Sequence, residues 1–401
     1  MLDLNTQYFE RQPSLEEIKR RVEGFPSWLE IDLDAIGHNI KQVRNRTGVE
    51  VIPCVKTNAY GHGLAPVVAY MMAQGVQRCL VAKLWEAEQI REAGLDCSVI
   101  NMDPLYSTEQ FERAIDLKVT QTIYQLEPAE RLNESALKKK ETAPIWIKID
   151  TGLGRVGVRW NEAVELVEKI SRLRGLRVDG IFSTMSEDEN LDKTQVERMN
   201  FISAELEKRG VDYGVRSMAS SNAVFHKPFS YLDAVRPGLM LFGLYPEKED
   251  MEQGIKLKQA FCLKARLEQI KWINAGESLT YSRRFTAPRK TKVGTLHIGY
   301  SDGYPRGLTT KGVVKVNGEV KPILGTVSVN HCLVDLTDTD AKVGDIVEAI
   351  GREGANGALN LSELAGIMTY SMMVGMNPLL PRVYIIDGAP VALFEPKLCQ
   401  R

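Results

Sequence analysis

Several things are scarce in this chain, and each scarcity removes a class of function. The six cysteines, Cys54, Cys79, Cys97, Cys262, Cys332 and Cys399, are scattered, with no CxxC pair among them. Such spacing supports neither a disulfide framework nor a zinc knuckle. The five histidines, His38, His62, His226, His297 and His331, are equally dispersed, and no protein metal site is expected. Charge of one sign is missing too. The formal net charge is −1, and the densest basic run, Lys138-Lys139-Lys140, reads as a solvated helix end. Nucleic acid is therefore not an expected partner. No window approaches the roughly 18 uncharged apolar residues of a membrane span. The stretch up to Trp28 is rich in charge and lacks the apolar core of a secretory signal. The expectation is a cytoplasmic protein without membrane contact.

What is there is an ordinary globular composition, with 44% hydrophobic and 26% charged residues over 401 positions. That length suits two domains better than one small core. Residues 1–27 read as a polar helical extension, in which Ser14 is placed to cap a helix and Glu17 follows three positions on. From residue 28 the texture changes. WLEIDL reads as a strand and DAIGHNIKQVRNRT as a helix, and the alternation continues. The short apolar runs VEVIPCVK, QRCLVAK, CSVINM, TQTIY, APIWIKID, VDGIFST, GVRSMAS and LMLFGLY are separated by amphipathic helices. Eight strands alternating with helices favour a closed (β/α)8 TIM-type barrel over residues 28–255, with an open doubly wound sheet as the rival. The glycine-rich phosphate fingerprint of a dinucleotide fold is missing, which weakens that rival. Residues 256–401 read as a C-terminal, mostly β domain. There, Asn317-Gly318 between VVKV and EVKP is a hairpin signal.

In a closed barrel, reactive side chains collect at the carboxyl ends of the strands. Lys56 ends the run VIPCV and opens the small-residue loop TNAYGHG. Partial desolvation at a barrel mouth lowers a lysine's pKa and makes its amine a usable Schiff-base nucleophile. From this residue alone, a solvated loop lysine is the plainer reading.

The surroundings change that balance. VIPCVKTNAYGHG resembles the cofactor-lysine motif of the alanine racemase family, and the resemblance recurs in order from Trp28 to Tyr384. WIKIDTGLGRVGV, AVRPGLMLFGLYP, LTYSRRFTA, HIGYSDGYPR, GTVSVNH and MTYSMMVGMNPLLPRVY each match a family segment. The resemblance implies a barrel holding pyridoxal 5′-phosphate (PLP), a C-terminal β domain, and a homodimer with composite sites. It implies an amino-acid racemase, alanine first, with serine or a larger amino acid as alternatives.

Residue roles follow from the same matches. Lys56 would hold PLP and serve as one base, and Tyr281 as the second base, supplied by the partner subunit. A tyrosine titrates near ~10 and needs help to work near neutral pH. Arg236 matches the arginine facing the PLP ring nitrogen. It stays cationic and can only donate, so that nitrogen is expected to be unprotonated and the ring a weaker electron sink. Arg155 matches the arginine near the phenolic oxygen and the substrate carboxylate. Lys148 matches a lysine often carbamylated in the family. Tyr60, Ser221, Gly238, Leu239 and Tyr370 would hold the phosphate, with Ser220 and Asn222 as competing placements. Tyr300 and Arg306 would line the substrate entrance, and the backbone amide of Val329 would serve the substrate carboxylate.

The chain also departs from the family pattern. Thr184 stands where a histidine is common, Val329-Asn330 replaces a Met-Asp pair, and GMNPLLPRVY is longer than usual. These changes leave open a PLP enzyme of the same architecture that carries out decarboxylation, transamination or elimination, or a catalytically weak PLP-binding module. Arg236 argues against the decarboxylases of this architecture, which bring a glutamate to the ring nitrogen.

Overall fold

A computed structural model describes residues 7–396, so the ends of the chain, including Cys399, lie outside the described residues. The barrel is built from the parallel strands Glu50–Val51, Arg78–Val81, Ser98–Asn101, Val119–Ile123, Ala143–Asp150, Leu176–Phe182, Val215–Ser217 and Ala234–Val235. Each pairs with its successor from the second strand onward, and the last pairs with the first. The remaining seam, between the first strand and the second, is closed by the Cys54–Leu80 bridge. Across it Val55 N–H donates to Leu80 O at 2.8 Å, and Leu80 N–H to Pro53 O at 2.8 Å. The (β/α)8 barrel expected from the strand–helix alternation is therefore present.

One strand is not where the sequence suggests. LMLFGLY, read as the eighth, instead holds the 3-10 turn Leu239–Phe242, and the strand is the short Ala234–Val235 before it. An apolar run of that length fits a buried turn as well as a buried strand, and periodicity cannot separate them.

The second sheet is organised by the long strand Phe261–Ile273, which pairs antiparallel with Ile346–Ile350 and Thr291–Leu296. Ser27–Asp32, the strand expected at the start of the 28–255 barrel region, also belongs here. It lies between Phe261–Ile273 and the parallel strand Arg382–Ile386. The helix Leu15–Val22 packs beside it, with Ser14 Oγ accepting Glu17 N–H at 3.3 Å. Its Ile18 is buried with Trp28 and Val383. Asn317-Gly318 forms the tight turn between Val313–Val316 and Glu319–Pro322, both residues at positive φ. Among the described residues, no helix is long and apolar enough to cross a membrane.

Candidate active site

Lys56 lies just past the barrel's first strand, two residues beyond the Cys54–Leu80 bridge, and opens the turn Lys56–Tyr60. Thr57, Asn58, Ala59 and Tyr60 all have positive φ, between 51° and 56°. Left-handed conformation costs about 1–2 kcal/mol per residue outside glycine, so the surroundings must hold the turn. Ala59 N–H donates to Val55 O at 2.8 Å, and Gly61 N–H to Thr57 O at 3.0 Å. Asn58 donates its N–H to Glu86 Oε1 at 3.1 Å, while its Oδ1 accepts Leu64 N–H at 2.8 Å. His62 adds a third support. Its Nδ1 lies 3.1 Å from both the Ala59 and Tyr60 carbonyls, which fixes the proton on Nδ1. Burial pushes its pKa down to about 3, so a neutral ring stacks on Phe242 at 4.3 Å.

The turn delivers Tyr60 into a group of donors. Its ring centre lies 6.1 Å from that of Tyr370. The Gly238 backbone presses so closely on Tyr60 that a Cβ there would fall 2.5 Å from its hydroxyl oxygen. Ser221 Oγ accepts Gly238 N–H at 3.0 Å and Met240 N–H at 3.4 Å, which leaves its own O–H to donate elsewhere. The Leu239 N–H has no backbone partner among the described residues. Burial pushes the Tyr60 phenol well above 10 and that of Tyr370 up to about 12, so both stay protonated donors. Hydroxyls and a free amide grouped around a glycine suit an anion with several oxygens.

Deeper in the barrel the charge is positive. Arg236 is buried; its Nε donates to Ser217 Oγ at 3.0 Å and its Nη2 to the Ser183 carbonyl. Burial lowers its pKa to about 10, which keeps it cationic at neutral pH. Lys148 donates to Thr184 Oγ1 at 2.6 Å. The Phe182 ring carries both cations, Lys148 Nζ at 4.6 Å and Arg236 Cζ at 4.9 Å from its centre. Burial, and then the charges of Arg236 and Arg155, push the Lys148 amine well below 10.5. Arg155 itself is exposed on the loop after Ala143–Asp150. Among the described residues none of these three cations has a carboxylate within ion-pair distance. The pocket is electrostatically short of an anion.

The other predicted residues form a separate group on the C-terminal domain. Tyr281 is 76% exposed, in a turn with Thr280, Ser282 and Arg283 at positive φ. The Arg306 guanidinium lies 5.9 Å from the Tyr300 ring centre. Val329 is half exposed; its carbonyl accepts Ser301 N–H at 3.0 Å and Ser301 O–H at 2.8 Å, and its amide has no backbone partner among the described residues. Asn330 Nδ2 donates to the same Ser301 Oγ at 2.9 Å. Among the described residues no hydrogen bond, ion pair or ring contact joins this group to Lys56. Tyr370 crosses the divide: its helix, Thr369–Val374, lies in sequence between the C-terminal sheet strands Ile346–Ile350 and Arg382–Ile386 yet packs on the Lys56 turn.

Comparison with known proteins agrees with this architecture. Residues 31–246 match the family model described as alanine racemase, N-terminal domain, and residues 260–384 the one described as alanine racemase, C-terminal domain. The chain belongs to the alanine racemase family. It is thereby an isomerase and, in coarse terms, an amino-acid racemase. It is 35% identical over 371 residues to an alanine racemase of Desulforamulus reducens, covering 90% of this chain and 99% of that protein. The solved alanine racemase of Clostridium difficile 630 superposes with a TM-score of 0.88 at 28% identity, covering 93% of this chain and 99% of that one. Its complex with cycloserine gives 0.86 at 27% identity, with coverage of 93% and 99%.

Within this family fold, Thr184 has a defined job. Its hydroxyl accepts from Lys148 while its carbonyl accepts Gln195 Nε2 at 2.9 Å, so it locates the lysine amine. Sequence reasoning missed three contributors: Glu86, Phe182 and His62. Glu86 is fully buried and accepts Ala82 N–H at 2.9 Å, Lys83 N–H at 3.1 Å and the N–H of Asn58. Its signal was present, since an acid three residues into a helix favours backbone N–H groups at that end. Phe182 gave none, because an aromatic on a barrel strand looks like any core residue.

Proposed function

We propose that this chain is a PLP-dependent alanine racemase. It works as a homodimer and exchanges the α-proton between Lys56 and Tyr281 on opposite faces of the substrate carbon. The observation that carries the reading is the donor group around Gly238, one turn away from Lys56. The donor set fits the cofactor: Tyr60, Ser221, Tyr370 and the Leu239 amide offer a phosphate hydrogen bonds, and the close Gly238 leaves the chain no room for a side chain. The Gly238 amide contributes through Ser221, to which it donates. When bound, PLP supplies an electron sink that acidifies the α-proton of a bound amino acid.

The chain's own residues do the rest. Lys56 anchors the cofactor and takes or returns the proton on one face. Tyr281, largely exposed in its own subunit, does the same on the other face after reaching into the partner's barrel. Arg236 donates to the ring nitrogen and, being a cation there, opposes its protonation. Arg155 and the Val329 amide bind the substrate carboxylate, and Tyr300 with Arg306 lines the way in. Lys148, its pKa pushed down by burial and by the charges of Arg236 and Arg155, is placed to attack CO2 through its unprotonated amine. The nitrogen lone pair forms an N–C bond as one C=O π bond opens onto oxygen, a proton leaves the nitrogen for solvent, and the side chain becomes the carbamate anion that Arg155 and Arg236 lack.

The test is solvent-deuterium exchange at Cα across a panel of L- and D-amino acids. Exchange with inversion, fastest for alanine, is the expected result; serine or a larger side chain ahead of alanine would reassign the substrate. Exchange with retention would mean a single working base, and CO2 release would point to decarboxylation. Added PLP should change its absorption spectrum with the wild-type chain and not with Lys56→Ala. Identical spectra for the two would remove Lys56 from the site.

A further inference from the structure

The histidines that look dispersed along the sequence are not all dispersed in space. His297 directly follows the strand Thr291–Leu296, and His331 directly precedes Cys332–Asp335. These strands are antiparallel partners in which Leu296 faces Cys332, so the two histidines are the next pair outward. The neighbouring strand Phe261–Ile273 has an irregular register between Leu267 and Gln269, and Glu268 is the extra residue there. A bulge of this kind re-aims one side chain, and here it carries Glu268 to the imidazoles. Glu268 Oε2 lies 3.0 Å from His297 Nδ1, and Oε1 lies 3.1 Å from His331 Nε2. One donor atom from each of the three residues falls within 4.8 Å of the others.

We propose that Glu268, His297 and His331 form a binding site for a divalent transition-metal ion, with Zn2+ as the physiological type. Two imidazoles and a carboxylate are a borderline-soft donor set of the kind that zinc, cobalt and nickel accept. Tetrahedral bonds of about 2.0–2.1 Å place ligand atoms about 3.3 Å apart, and the three donor atoms, which lie within 4.8 Å of one another, reach that spacing by side-chain rotation that draws them together. Three adjacent strands supply the ligands, and the fourth position is left to water because all three side chains are at least partly exposed. The site lies at the root of the segments that carry Tyr300 and Val329, which are already joined by the Ser301 N–H to Val329 O hydrogen bond of 3.0 Å. A bound ion would clamp those two segments together.

The test uses untagged, full-length, cofactor-loaded protein, first stripped with a chelator and then dialysed against Zn2+ or Co2+ alone. The expected result is one ion per chain, four-coordinate visible bands with Co2+, and slower amide exchange at Gly299, Ser301 and Ser328 with Zn2+. Glu268→Gln, His297→Gln and His331→Gln should each weaken binding by at least about 100-fold, the upper end of what loss of a mere outer-shell partner costs. His226→Gln, at an unrelated exposed histidine, should change nothing. Because the three residues sit at a partly exposed strand end, a circular-dichroism spectrum like wild type is expected for each variant. Absence of stoichiometric binding, or binding that persists in these folded variants, would overturn the proposal.

Discussion

Replacing Thr57 with glycine should make the protein more stable and the enzyme slower. Thr57 is exposed, holds φ 56° and ψ 51°, and its hydroxyl makes no hydrogen bond among the described residues. Removing the side chain therefore loses little packing and relieves about 1–2 kcal/mol of left-handed strain. Glycine's extra freedom in the unfolded chain takes back about 0.5–1 kcal/mol. The net is a gain on the order of 0.5–1 kcal/mol. Thr194, in the right-handed helix Glu189–Lys208, is the internal control: glycine there should cost a few tenths of a kcal/mol. Urea midpoints of the cofactor-free proteins, at one fixed protein concentration, read both changes. Activity should fall several-fold at Thr57 and hold at Thr194, because only the former loosens the segment that aims Lys56. A Thr57→Gly protein destabilised as much as Thr194→Gly would refute the idea that the turn stores strain.

Gly238→Ala brings a methyl to 2.5 Å from the Tyr60 hydroxyl. Overpacking of about 1–3 kcal/mol should weaken PLP binding by roughly 5–150-fold in an absorbance titration. Tyr281→Phe should retain cofactor binding and still exchange the α-proton of one enantiomer, while inversion is lost; full racemisation in this variant would strip Tyr281 of its role. His62 ordinarily titrates at 6.5 and is pushed down to about 3 by burial, so between those values the unfolded chain binds the extra proton and the folded one does not. Stability should then fall as pH drops from 6.5 towards 3, by up to about 1.4 kcal/mol per pH unit from this group. His62→Asn, which keeps an N–H for the two carbonyls, should flatten that slope, and an unchanged acid-unfolding profile would count against a buried neutral ring.

Local pattern carried much of the fold. Alternating apolar runs and helices implied a barrel, the Asn317-Gly318 turn was readable from its backbone demands, and Ser14 announced its helix. What local pattern does not carry is choice of partner. WLEIDL reads as a strand, yet nothing in six residues says it will join a sheet made mostly from the other end of the chain. The two-residue strand Ala234–Val235 is too short to show a period, while its apolar neighbour LMLF imitates one. The site divides in the same way. Lys56, Arg236 and the Gly238 segment lie in motifs, and a resemblance could place them. Glu268, His297 and His331 meet only through strand register and a bulge, and Phe182 matters only because two cations lie over its ring.

The strand Ser27–Asp32 has a consequence for how the protein is made. It leaves the ribosome early, but both of its sheet neighbours, Phe261–Ile273 and Arg382–Ile386, are synthesised long afterwards. The barrel between them can complete its own hydrogen-bond circuit first, since domains tend to fold as units during synthesis. The leading segment must then wait, unpaired, until the tail arrives to enclose it. Its apolar residues Trp28, Leu29 and Ile31 are exposed for that interval, which makes this strand the part of a nascent chain that a chaperone would hold and a truncated product would leave sticky. Segments from either side of the barrel are thus stitched into one sheet last, and a ribosome that stops short of Arg382 releases a chain whose Ser27–Asp32 strand has lost one of its two partners.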